Sequence, residues 1–229
     1  MNYPPDSQTR IQVIWQSSSP EDYPDLASLQ DPGIGLSATL VNPNAVDSED
    51  HAAHKQERPH LVIAFVGPNS TEATTQIHQV HPDAVTIAIS AQKNTQNTFA
   101  AARDIAEVLN GSTLIGIDLE DVMTVLSLER GARNESELVV ADAPSGNLDT
   151  ALSACLHSLH RQPSTVDGLL LLIAAPKGKL LTQELKQTNK QIKACFTNLR
   201  RFIYAVYETP ELTPATRISL WASPIPSKS

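Results

Sequence analysis

Hydrophobic and polar positions alternate in two regimes along the chain. In the first ninety residues, short apolar runs stand between polar stretches. "RIQVIW" (10–15), "LSATLV" (36–41), "HLVIAFVG" (60–67) and "DAVTIAIS" (83–90) are apolar, β-branched runs, which predicts strands. "SSSPEDYPDLASLQDPGIG" predicts a loop with one short helical turn, and "NPNAVDSEDHAAHKQERP" (42–59) a polar connection. "STEATTQIHQVH" (70–81) predicts a helix between two strands. Strand, crossover and strand in that order predict a parallel α/β sheet.

From residue 97 the helical period takes over. In "NTFAAARDIAEVLNG" (97–111), Phe99, Ala102, Ile105, Ala106 and Leu109 share a face. Asn97 or Thr98 is the expected N-cap, and Gly111 the expected left-handed stop. "GSTLIGIDLEDVMTVL" (111–126) runs from a strand-like segment into a helix expected over 118–129. A strand over 136–143, a helix over 147–160, a strand over 167–175 and a long amphipathic helix over 180–199 follow. "RFIYAVYET" (201–209) and "TRISLWAS" (216–223) predict a final pair of strands, hairpin-like. No solenoid repeat is present.

Composition narrows the function classes. The chain has 229 residues, 41% hydrophobic and 18% charged, enough for one large or two small domains. The net charge of −8, with only 17 Lys+Arg, argues against a nucleic-acid or anionic-membrane binder. Cys155 and Cys195 fall at apolar helical positions and are expected to be buried free thiols in a reducing, cytoplasmic compartment. The longest apolar run, "GLLLLIAA" (168–175), is too short to span a membrane and too internal for a signal peptide.

Two constellations bear on chemistry. Asp118 and Asp121 stand three apart at a helix start. As an N-cap and a first-turn carboxylate they satisfy backbone N–H groups and oppose the helix dipole. The same pair is also placed to polarise a water. His51/His54, His78/His81 and His157/His160 form His-x-x-His pairs, but none has a third or fourth ligand at metal-site spacing, so no metal is expected. Neither G-x-x-x-x-G-K-[ST] nor G-x-G-x-x-G after a strand occurs, and no nucleophile elbow is present.

The second half resembles the C-terminal half of FtsZ, the bacterial tubulin homologue. "GIDLEDVMTVLS" (116–127) is similar to the family's synergy loop and following helix, N-x-D-[FL]-[AE]-D-[VI]-x-T-[VI]-[ML]. On this resemblance Asp118 and Asp121 match the two catalytic aspartates, and Gly116 replaces the asparagine. "DGLLLLIAAPKGKLLTQELKQ" and "TRISLWAS" are similar to the family's "GVLVNITGG-DL-L-E" and its closing "IRVTVIATG". The resemblance implies a shortened, degenerate GTPase-like α/β domain (1–93), a connecting helix (94–111), an FtsZ-like C-terminal α+β two-layer sandwich (112–223) and a tail (224–229).

The first half departs from the family where phosphates would sit. Its first strand leads into "QSSSPEDY", placing Ser17, Ser18 and Ser19 where the family has a glycine-rich loop. The tubulin signature G-G-G-T-G-[TS]-G is replaced by "GPNSTEATT", with Gly67 kept and Pro68 and Asn69 following. Glycines let backbone N–H groups converge on a diphosphate. Pro68, Glu72, Pro20, Glu21 and Asp22 remove donors or add like charge. GTP binding is therefore expected to be lost, and no cofactor is expected. The resemblance implies a one-sided FtsZ-like pseudo-GTPase. It would contact FtsZ, an FtsZ-like protein or another copy of itself through Gly116, Asp118, Leu119, Glu120 and Asp121, cap or modulate filaments in cell division, and supply aspartates in trans if it catalyses at all. The family's membrane-tether peptide is absent after "PIPSKS", so direct tethering is not expected. The alternatives are a nucleotide-independent self-stacking scaffold, a diverged ligand or metal binder on the same fold, and a degenerating paralogue.

Overall fold

A computed structural model describes residues 8–16, 30–41, 58–66, 77, 79, 81–90, 95–126 and 135–225. The strands are β1 (Ile11–Gln16), β2 (Leu36–Val41), β3 (Leu61–Val66), β4 (Val85–Ser90), β5 (Thr113–Ile115), β6 (Glu135–Pro144), β7 (Val166–Ala175), β8 (Arg201–Glu208) and β9 (Ala215–Pro224). The helices are α1 (Thr95–Asn110), α2 (Leu119–Leu126), α3 (Leu148–Ser158) and α4 (Thr182–Cys195). The strands form one sheet in the order β2-β1-β3-β4-β6-β9-β7-β8-β5.

The first four strands are parallel throughout, as the strand-and-crossover pattern predicts. Both faces of such a sheet are buried, so β3 carries an unbroken apolar run. Its Leu61, Ile63 and Phe65 enter one core, and Val62 and Ala64 enter another. The order β2-β1-β3 reverses the direction of winding between β1 and β3, a topological switch at their carboxyl ends. The chain leaving those ends carries Ser17, Ser18, Ser19, Gly67, Pro68 and Asn69, which lie outside the described residues. Most of the helix expected over 70–81 also lies outside them, with Ile77 and Gln79 helical.

The second half is a mixed sheet. β7 is buried along its whole length and alternates between two cores: Leu170, Leu172 and Ala174 face one, and Leu169, Leu171 and Ile173 the other. α3 and α4 cover the second core through Leu148, Leu152, Cys155 and Ile192. Among the described residues the two halves of the sheet meet through two register pairs, Ala88↔Glu135 and Ile89↔Ser136. α1 strengthens that junction, because its Ala101, Ala102, Ile105, Ala106 and Val108 pack in one core with Ile63 and Phe65 of the first half and Leu172 and Trp221 of the second. At one end Phe99 meets Phe65 edge-on, with ring centroids 6.5 Å apart. At the other, the Asn110 side chain donates to the carbonyls of Thr9 (2.7 Å) and Ile34 (2.9 Å), and accepts from Thr9 N.

Four sequence expectations need correction. β8 and β9 are not a hairpin: β7 lies between them, parallel to β8 and antiparallel to β9. Residues 209–214 cross the end of β7, where Thr209 N donates to Ala175 O at 2.9 Å. Six residues readily span the two strand spacings of roughly 9–10 Å. Cys195, the last residue of α4, is exposed, because Phe196 takes the buried position. Cys155 is buried as expected, and burial pushes its thiol pKa up to about 12. α1 begins at Thr95, so Asn97 and Thr98 lie inside it and are not its cap. Gly111 does not adopt a left-handed conformation; its role is close approach, since a Cβ there would sit 2.6 Å from Glu107 O.

Candidate functional site

The acidic loop is built from both its ends. α1 stops at Asn110 and β5 begins at Thr113, after two intervening residues, pairing antiparallel with β8 through Thr113↔Tyr207 and Ile115↔Val206. The chain then alternates: Gly116, Asp118 and Glu120 are exposed, while Ile117 and Leu119 are partly buried against the main core. Two apolar anchors thus hold the segment and turn its polar side chains to solvent. A Cβ at Gly116 would lie 2.8 Å from Thr113 Oγ1, so a larger residue there requires Thr113 to rotate.

Asp118 and Asp121 form a reciprocal cap. Asp121 N donates to Asp118 Oδ1 at 2.8 Å, and Asp118 N donates to Asp121 Oδ2 at 3.1 Å. Val122 N donates to Asp118 O at 3.2 Å, the first turn of α2. This is a capping box with aspartate at both positions. The carboxylates also oppose the helix dipole. The other end of α2 is held too. Arg201 Nη1 donates to Thr124 O at 2.9 Å, and Ser223 Oγ to Val125 O at 3.0 Å. Arg201 is in turn paired with the buried Asp167.

Asp118 is exposed and Asp121 partly so. Among the described residues no lysine, arginine or histidine forms a salt bridge with Asp118, Glu120 or Asp121. The loop is therefore a small, ordered, negatively charged surface. Each capping interaction engages one oxygen of its carboxylate; among the described residues the second oxygen has no hydrogen-bond partner and can meet an incoming cation, water or donor.

One histidine pair, His157 and His160, lies wholly within the described residues. His157 Nδ1 lies 2.7 Å from Ser153 O, whereas His160 Nδ1 lies 3.1 Å from Glu137 Oε1. His51, His54 and His78 lie outside the described residues. Among the described residues, no group of three or more His, Cys, Asp or Glu is placed to hold a metal ion. No helix among them is long and apolar enough to cross a membrane.

Sequence reasoning missed the buried polar cluster around Asp104, as it missed the buried Asp167 paired with Arg200 and Arg201. Asp104 is 1% exposed on the apolar face of α1. Tyr207 Oη donates to its Oδ1 at 2.6 Å, and Ser219 Oγ donates to its Oδ2. Arg217 Nη1 stands 3.8 Å from Oδ1, while Arg217 Nε donates to Asp142 Oδ1 at 2.9 Å. Burial raises the Asp104 pKa above the usual carboxylate value, against the opposing pull of Ser219, Tyr207 and Arg217. The signal was present in the helical spacing: Asp104 lies three residues after the buried Ala101 and four before the buried Val108.

Comparison with known proteins identifies the architecture. No family model matches the sequence, and no curated protein matches it. Solved structures do match. The empty FtsZ dimer of M. jannaschii aligns with a TM-score of 0.67 at 13% identity, covering 96% of this chain and 89% of that one. A tryptophan-to-tyrosine FtsZ mutant of M. jannaschii aligns with a TM-score of 0.52 at 15% identity over 72% of this chain, which spans 56% of that structure's length. At such identities the likeness is one of fold. The nine-stranded sheet, mixed with helices, therefore has an FtsZ-like fold.

Proposed function

We propose that this chain is an FtsZ-like pseudo-GTPase that associates with FtsZ, or with another copy of itself, through its acidic-loop face and caps or modulates filaments in cell division. The observation that carries this reading is the asymmetry between the two ends of the fold. The acidic loop is ordered, exposed and free of salt bridges among the described residues. The sequence following β1 and β3, at the switch point where such folds hold ligands, lacks the glycines that bring backbone donors to a diphosphate.

The pair's role in catalysis is conditional on a partner. Asp118 and Asp121 are set to orient a water only where a second molecule presents an electrophile, so any hydrolysis is in trans. Two measurements test this. Calorimetry on the purified protein should show no micromolar GTP binding. Asp118→Asn combined with Asp121→Asn, which preserves capping acceptors, should abolish the protein's effect on FtsZ polymerisation followed by light scattering. An unchanged effect contradicts the reading.

Self-association is the second reading. Leu114 on the edge strand β5 is 60% exposed beside the loop, an apolar contribution to a contact surface. One of the matching structures is itself an FtsZ dimer. Concentration-dependent light scattering without nucleotide distinguishes this case from one that requires FtsZ.

A further inference from the structure

The buried carboxylate on α1 and the exposed acidic loop are joined by a short physical path. Tyr207 stands at both steps. Its hydroxyl donates to Asp104 on α1, and its backbone position pairs with Thr113 of β5. β5 leads directly into residues 116–118 and the α2 cap. Ser219 of β9 binds the second oxygen of the same carboxylate. One side chain on the connecting helix therefore grips β8 and β9 of the second sheet half.

We propose that Asp104 is a positioning residue for the acidic loop: by holding Tyr207 and Ser219 against α1, it fixes β8, hence β5, and so sets how Asp118 and Asp121 are presented. The functional meaning of this rests on the loop being the contact surface proposed above; the positioning itself does not. β5 is only three residues long, sits at the edge of the sheet and pairs with β8 through a register shift. Such a strand has little rigidity of its own and takes it from its neighbour. Loosening β8 from α1 therefore reaches the loop first.

Hydrogen–deuterium exchange on the free protein tests this without any partner. Tyr207→Phe and Ser219→Ala each delete one hydrogen bond to Asp104 and keep the core packed. Tyr207→Phe should speed amide exchange across 113–122 by about tenfold relative to the rest of the chain, equivalent to about 1.4 kcal/mol of easier local opening. Asp104→Ala should do more, and Asp104→Asn, which retains a carbonyl acceptor, should recover much of the protection. Leu152→Ala, in the other core on α3, supplies the comparison for general destabilisation. If 113–122 is unaffected in Tyr207→Phe and Ser219→Ala, or if Leu152→Ala gives the same selective pattern, the proposal is overturned. Association is measured separately: selective exchange with no loss of association in the Asp118→Asn, Asp121→Asn variant supports the positioning role and defeats the contact-surface reading.

Discussion

Replacing Asp118 by asparagine separates two roles that alanine would confound. Asparagine caps a helix about as well as aspartate, whereas alanine loses roughly 1 kcal/mol. Asp118→Asn should leave the denaturation midpoint nearly unchanged, and Asp118→Ala should lower it. Gly168 has a different constraint. A Cβ there would lie 1.8 Å from Val125 O and 2.5 Å from Ser223 Oγ. Neither backbone nor buried strand yields easily, so Gly168→Ala should cost about 1–3 kcal/mol in chemical denaturation and lift α2 from β7. Asp104 predicts a pH effect. Its pKa is raised in the fold, so between the ordinary value of 3.8 and the raised one the unfolded chain loses its proton first. Wild-type stability relative to Asp104→Asn is therefore greatest below 3.8 and declines as pH rises through the folded pKa. The groups facing Asp104 are Tyr207, Ser219, Arg217, Asp142 and the half-buried Glu107. Denaturation of both proteins from pH 3 upward checks the sign.

At the scale of elements, much was legible because each signal was local. β3 and β7 announced themselves as continuous apolar runs, and the α2 cap as Asp-x-x-Asp before a helical pattern. What escaped notice was non-local. A six-residue connection between two strands suggests a hairpin, and nothing within 201–223 shows that β7 inserts between them. The exposure of Cys195 depends on where α4 ends, and Phe196 decides that by packing inward. Asp104 is one charge among apolar residues on its helix face, and its meaning requires Tyr207 and Ser219, more than a hundred residues away. The loop was legible as a motif, but its exposure came from Ile117 and Leu119 anchoring it. The positions after β1 and β3 were legible as departures from a glycine-rich pattern and stand outside the described residues.

Over the whole molecule, the two sheet halves share two register pairs and one core. That core includes Ile11 and Ile87 from one half and Leu170 and Trp221 from the other, with Ile105 of α1 between them. Ile105→Ala should cost about 2–5 kcal/mol and lower the stability of both halves together, giving one cooperative transition by calorimetry rather than two. The most direct measurement of the central claim is co-sedimentation with the host's FtsZ, with and without GTP. The account predicts that this protein pellets with GTP-assembled FtsZ and that Asp118→Asn with Asp121→Asn remains in the supernatant. Equal pelleting of both, or none by the unaltered protein, would contradict it.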